Sequence, residues 1–294
     1  MHTEPFEYER PISLREFESI LAKHGAGANI LAGGTDLLVL VKEKLLSPRI
    51  LIDIGNLREL MGVSWDDGKG LTILAGTKVA AIERNALVKE KAPALAYAAA
   101  QLGSSQVRHM ATLAGNCCHG SPSAESPPVF LAHDASVVLA REGSERTLPI
   151  SDFWLAYRKT ALAPGEYLKS FVLPPLPDSS AVAYRFKGLR GAMEIDMVNV
   201  AAYLELEGDG KTVKAARIAM GAVGPIPYRA KETEKKIAGK TADAELFARA
   251  GELASEEAKP IDDVRASAAY RKKLVKILTA RALEDAFKSI TEGK

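Results

Sequence analysis

Apolar and polar positions change period several times along the chain, and each change marks an element. Phe17, Ile20, Leu21 and His24 fall at helical spacing behind Ser13-Leu14-Arg15-Glu16, a serine with a glutamate three residues on, which is the pattern of a capping box. This predicts a helix packed on a small sheet. Residues 29–31 and the apolar run 50–54 would be strands of that sheet, with a second helix starting near Asp36 between them. Strand, helix, strand in this order favours a parallel pair joined by a crossover.

After about Leu57 the texture changes. Short strand-like runs at 71–75 and 136–140 flank an alanine-rich helical stretch, 93–102, and a helix can start at Ser126 with Pro127 in its first turn. Residues 173–180 hold three prolines, Pro174, Pro175 and Pro177, which neither a helix nor a central strand accepts, so this stretch reads as a linker. Beyond it, strand runs 198–206 and 213–220 are separated by Gly208-Asp209-Gly210, which suits a hairpin turn. Helical patterns at 242–258 and 266–287 then predict a helix pair covering one face of that sheet. There is no internal repeat and no low-complexity segment.

Composition narrows the picture modestly. At 294 residues and 47% hydrophobic content the chain can bury substantial cores in two or three domains. Thirty-nine basic and thirty-seven acidic residues give a formal charge of +2, which points neither to nucleic acid nor to an acidic membrane surface. No apolar stretch is long enough to span a bilayer, and Met1-His2-Thr3-Glu4 begins no basic, then apolar, leader, so the expected location is cytoplasmic. The two cysteines, Cys117 and Cys118, are neighbours. They predict no disulfide framework and cannot supply the four ligands of an iron–sulfur cluster.

Two glycine segments hold the candidate chemistry. In the first, residues 30–38, a strand runs through Gly33-Gly34 into a helix with Thr35 or Asp36 as candidate N-cap. Residues without Cβ let backbone N–H groups approach an anion, and a helix start presents its positive end to the same place. A Gly-Gly turn also serves as plain chain reversal. The second segment, 111–122, is small and polar for longer than a turn needs and is expected to be structureless. Thr112, Asn116 and Ser121 offer side-chain donors, and Gly115 and Gly120 a tight backbone path, suited to a phosphate or ribityl chain or to an ordered surface loop.

No Gly-x-Gly-x-x-Gly opens a helix, no phosphate loop ends in a Walker lysine, and no Gly-x-Ser-x-Gly elbow is present. The five histidines, at 2, 24, 109, 119 and 133, form no ligand pair, and no acid, base or nucleophile is evident.

Taken together, Ala32-Gly33-Gly34-Thr35-Asp36-Leu37 and Thr112-Leu113-Ala114-Gly115-Asn116, followed by Ser121-Pro122-Ser123-Ala124-Glu125, resemble the two flavin loops of the FAD-binding subunits of molybdenum hydroxylases, the xanthine dehydrogenase and carbon monoxide dehydrogenase family. Phe186-Lys187-Gly188-Leu189-Arg190, the run 221–230 and the run 264–271 are also similar to family signatures, so the resemblance covers nearly the whole chain in order.

The resemblance implies an α+β protein: a two-part FAD-binding domain of the vanillyl-alcohol-oxidase/PCMH type, divided at residues 1–57 and 58–176, and a C-terminal domain, 181–294, with an antiparallel sheet and helices. It implies that Ala32, Gly33, Gly34, Thr35, Asp36 and Leu37, then Thr112, Leu113, Ala114, Gly115, Asn116 and Ser121, grip FAD. Glu125 stands where the family usually has Asp. Lys187 matches a lysine near the flavin, and Leu168 a position whose backbone meets the ring. Ala114 replaces a family glycine and would crowd the loop if its φ were positive.

The implied partners are a large molybdopterin-binding subunit and a small subunit with two two-iron, two-sulfur clusters, in a heterotrimer that delivers electrons to NAD or another soluble acceptor. Two other readings remain at this level: a self-contained FAD-dependent oxidoreductase of the same fold, and a non-redox assembly module that has lost the cofactor.

Overall fold

A computed structural model describes residues 4–293; the opening residues 1–3, which bear on the leader reading and include His2, and Lys294 lie outside the described residues. The N-terminal unit holds β1 (Glu7–Glu9), α1 (Leu14–His24), β2 (Ala28–Leu31), α2 (Leu37–Lys42) and β3 (Ile50–Asp53). Its three strands are parallel in the order β1-β3-β2, with Ile30 opposite Ile52. Ser13 caps α1 by accepting the Glu16 N–H at 3.2 Å, but the Glu16 carboxylate takes the Ile12 N–H rather than that of Ser13. The capping box is therefore displaced by one residue on its return side.

The central unit runs through β4 (Val63–Asp66), β5 (Gly70–Leu74), six short helices, α3 (Val79–Arg84), α4 (Ala86–Lys91), α5 (Pro93–Gln101), α6 (Ser105–Met110), α7 (Leu113–His119) and α8 (Ser126–Ala132), then β6 (Ser136–Arg141) and β7 (Ser144–Pro149). A small pair, β8 (Trp154–Ala156) and β9 (Lys159–Thr160), precedes β10 (Tyr167–Leu173), which returns between β5 and β6 to give a sheet ordered β4-β5-β10-β6-β7. Sequence patterning does not predict this central strand, because it is buried on both faces and shows no alternation.

The C-terminal unit is an antiparallel sheet of β11 (Ser180–Lys187), β12 (Val198–Leu206), β13 (Val213–Gly221) and β14 (Tyr228–Arg229), with α9 (Lys231–Ile237), α10 (Ala244–Glu257) and α11 (Ala268–Thr291). The expected hairpin and helix pair are present. Lys187 follows Phe186 at the end of β11, opposite Val198.

Three apolar clusters hold the units, and two of them cross unit boundaries. The first packs Phe17, Ile50, Ile52 and Leu60 with Ala140 and Tyr167 of the central sheet; Phe17 and Tyr167 meet edge to face at 4.9 Å. The second gathers Leu95, Val129, Phe130 and Phe171 together with Tyr184, Ala201, Tyr203 and Ala219 of the C-terminal sheet. The third packs the other face of that sheet, including Val200, Leu204 and Ile218, on Phe247, Leu278 and Leu283. Every residue of β12 is buried, so the C-terminal sheet is sandwiched between its own helices and the central unit. Phe130 and Phe171 stack with centroids 4.4 Å apart, worth about 1 kcal/mol beyond the area they bury.

Candidate functional site

The carboxyl ends of parallel strands are where an open α/β sheet receives ligands. The first glycine segment leaves β2 at that end. A Cβ on Gly33 would strike the Met110 carbonyl oxygen and come within 2.7 Å of the Ala111 Cα, so only glycine permits this approach to the second segment. Gly34 has φ +71°, and a side chain there would press on Leu38 at 2.9 Å. Asp36 occupies the N-cap of α2, yet its carboxylate makes no capping bond, and Thr35 does not cap either. Asp36 instead lies 3.9 Å from the His119 Nε2 at the far end of the second segment. The helix that follows has only six residues, so its dipole adds little.

The second segment is not structureless. Thr112 accepts the Gly115 N–H at 3.0 Å and starts α7, a two-turn helix whose sequence, Leu-Ala-Gly-Asn-Cys-Cys-His, shows no apolar period. Leu113 and Ala114 are buried and pack into the central core. Ala114 is absent from the positive-φ residues and takes ordinary helical backbone, so the anticipated crowding by its methyl does not arise. Gly115 and Asn116 are partly exposed, and Asn116 Oδ1 accepts from Ser126 Oγ at 3.0 Å. Gly120 ends the helix at φ +68°, Trp154 Nε1 donates to the Cys117 carbonyl at 3.0 Å, and Ser121 Oγ accepts the Ser123 N–H. Burial pushes both cysteine thiols above their ordinary range, which keeps them protonated at neutral pH; Cys117 is fully enclosed and Cys118 partly exposed.

The two segments thus meet at two places, Gly33 against Met110 and Ala111, and Asp36 beside His119. Lys78 joins them at the first: it pairs with Thr112 through an isolated backbone bridge, and its Nζ donates to the Met110 carbonyl at 3.1 Å.

The wall beyond α7 comes from the C-terminal sheet. Asn199 Nδ2 donates to the Ala124 carbonyl at 3.2 Å and to Asp196 Oδ2 at 2.8 Å, while Tyr184 donates to the same carboxylate at 3.1 Å. Glu125 is buried above this group. Burial, then the nearby Asp196 charge, push its carboxyl up to about 8, although the Asn116 hydrogen bond pulls the other way. Burial likewise raises Asp196 to about 6, against hydrogen bonds from Asn199 and Tyr184. Sequence reasoning missed Lys78, Asp196 and Asn199; Lys78 and Asp196 sit in no distinctive pattern, Asn199 is one polar residue in the apolar run of β12, and only the fold brings them to the segments.

Two other positions lie apart from this cluster. The Leu168 side chain is buried in the central core, beside a register shift in β10. Lys187 is exposed, and strand alternation puts it on the face of Arg185, which pairs with Asp285 of α11, rather than on the face of Phe186 and Tyr184.

The family model for the FAD binding domain in molybdopterin dehydrogenase matches residues 4–176, and that for the CO dehydrogenase flavoprotein C-terminal domain matches residues 183–286. The chain belongs to the FAD-binding subunits of the molybdopterin dehydrogenases. It is 31% identical to the glyceraldehyde dehydrogenase medium chain of Sulfolobus acidocaldarius over 97% of this chain and 99% of that one. With a putative xanthine dehydrogenase FAD-binding subunit of Escherichia coli it shares 29% identity over 95% of each. Among solved structures, carbon monoxide dehydrogenase from Hydrogenophaga pseudoflava matches with a TM-score of 0.91 and 30% identity, covering 98% of this chain and 99% of that one. Membership fixes the cofactor as FAD and the activity as an oxidoreductase subunit of a molybdenum hydroxylase. No helix among the described residues is long and apolar enough to cross a membrane.

The residues present fit such a cofactor. Gly33 lets the first segment close on the backbone of Met110 and Ala111, and the second turns its apolar residues inward and Gly115 and Asn116 outward.

Proposed function

We propose that the chain is the electron-transfer subunit of a heterotrimer, holding FAD between residues 32–37 and 112–116. It would receive electrons from a small subunit with two two-iron, two-sulfur clusters, fed by a large molybdopterin subunit, and deliver them to NAD or another soluble acceptor. The carrying observation is the convergence of the two glycine segments, with the Gly33 backbone against Met110 and Ala111. Bound FAD supplies both one- and two-electron exchange, which links single-electron clusters to a two-electron acceptor.

This chain's residues do the positioning. Ala32, Gly33, Gly34, Thr35, Asp36 and Leu37 would lie at the diphosphate, Thr112 to Asn116 and Ser121 would run past phosphate, ribityl chain and flavin, with Leu113 and Ala114 offering backbone only, and Glu125 would close that side with a carboxyl that is mostly protonated at neutral pH. In this reading the Leu168 backbone approaches the ring, while Lys187, on the α11 face at the end of β11, would reach it only around the strand's end. A cytoplasmic location belongs to the same proposal, since two adjacent free thiols suit a reducing compartment.

The test is to purify the chain with its partners and identify the released flavin. About one FAD per chain is expected, with iron and molybdenum in the same fraction. Gly33→Val should keep the circular dichroism of the fold and lose the flavin. A colourless, folded wild-type complex that takes up no FAD would remove the proposal.

A further inference from the structure

Neither glycine segment contains a lysine or arginine, and the first carries an acid, Asp36. Backbone N–H groups can hold a diphosphate there, and a cation from elsewhere would add the charge they lack. Lys78 precedes α3 and is half-buried; its ammonium donates to the Met110 carbonyl oxygen at 3.1 Å. That oxygen is the atom a Gly33 side chain would strike, so the charge sits where the two segments meet.

No carboxylate pairs with this ammonium among the described residues. Asp53 is the acid whose field reaches it, but Asp53 already accepts Tyr8 Oη at 2.5 Å and the Gly55 N–H at 2.8 Å, with Arg10 at 3.8 Å. Burial lowers the Lys78 pKa, against the pull of Asp53. A half-buried cation with one neutral acceptor is costly, and an anionic ligand would offset that cost.

We propose that Lys78 is a direct ligand of the FAD diphosphate and supplies the positive charge that the glycine segments lack. The inference rests on the FAD reading above. It assigns a binding role to a residue outside both segments, and it explains why a lysine occupies a position that packing alone does not require.

The test uses the full chain, stripped of flavin and titrated with FAD at low and high salt, binding being followed by flavin fluorescence. Lys78→Gln keeps a donor for the Met110 carbonyl and removes the charge; Lys78→Arg keeps the charge. The Gln variant should bind FAD ~10- to 100-fold more weakly at low salt, the range for losing a charged hydrogen bond. The Arg variant should recover most of that loss, and the salt dependence seen in wild type should shrink only in the Gln variant. Equal binding by wild type and Lys78→Gln, or an equal loss in the Gln and Arg variants with unchanged salt dependence, would overturn the assignment while leaving the FAD reading intact. Wild type that fails to bind FAD under any salt would overturn both.

Discussion

Glu125 and His133 are buried side chains whose ionisation opposes the fold, Glu125 as pH rises and His133 as pH falls. Glu125, ordinarily near 4.5, titrates at about 8 when folded, because burial and then Asp196 disfavour its charge. The folded chain therefore binds this proton more tightly than the unfolded one: the stabilisation is complete below 4.5 and is lost as pH climbs through about 8. His133 runs the other way. Burial, then Arg217, hold it neutral down to about 3, and neither ring nitrogen has a partner, so the unfolded chain gains a proton first as pH falls below 6.5. Urea unfolding of the flavin-free chain across pH should show Glu125→Gln flattening the decline between 4.5 and about 8, and His133→Leu flattening the one met as pH falls from 6.5 to about 3. At neutral pH His133→Leu should also stabilise by about 1 kcal/mol, by removing two buried unpaired nitrogens. Parallel profiles for wild type and both variants would contradict this assignment. At this scale the sequence showed residue types, Gly33-Gly34 and Thr112 above all, but not burial. His133 reads as an ordinary polar residue until α8 and β13 enclose it.

At the scale of elements, α7 is the informative case. Its seven residues carry no apolar stripe, and a sequence reader sees only Gly115, two cysteines and a histidine; its existence depends on tertiary supports. Those are the Thr112 cap at one end, and Gly120 with the Trp154 hydrogen bond to the Cys117 carbonyl at the other. Long periodic elements such as α10, α11, β12 and β13 were legible because each buries one repeating face or a continuous apolar run. β10 and α7 were not, because their neighbours rather than their own period decide their state. Thr112→Ala should cost about 1 kcal/mol, as loss of an N-cap does, whereas Thr112→Ser should cost little. Thermal melts of the three proteins measure this. FAD retention should follow the same order, since α7 carries Gly115 and Asn116 on its open side. A Thr112→Ala protein as stable as wild type would show that the helix is held by packing of Leu113 and Ala114 alone.

At the scale of the whole molecule, the proline-rich segment 174–179 separates chain segments but not cores. Tyr184, Ala201, Tyr203 and Ala219 of the C-terminal sheet complete the central cluster, and Asn199 holds Ala124 in the second glycine segment's continuation. Behind that sheet, buried Arg271 of α11 donates Nη1 to the carbonyls of Met197 and Ala222 and Nη2 to Asp263 at 2.7 Å. The Ala222 N–H in turn donates to the Pro122 carbonyl at 2.6 Å. A continuous set of hydrogen bonds therefore joins the last helix to Pro122, and with Asn199 on Ala124 the C-terminal domain buttresses the continuation of the second glycine segment. A lysine carries its three donors on one nitrogen and does not reproduce the fork by which Nη1 and Nη2 meet these acceptors. Arg271→Lys should leave the core packed, speed amide exchange at Ala222 and through 121–125 by about tenfold, for roughly 1.4 kcal/mol of lost local stability, and accelerate FAD release. Exchange elsewhere in α11 and β12 should change little, because Leu278, Leu283, Val200 and Leu204 hold that interface without the guanidinium. Faster exchange spread evenly over the C-terminal domain, with residues 121–125 unaffected, would mean that Arg271 stabilises its own domain only and that the glycine segments stand without it.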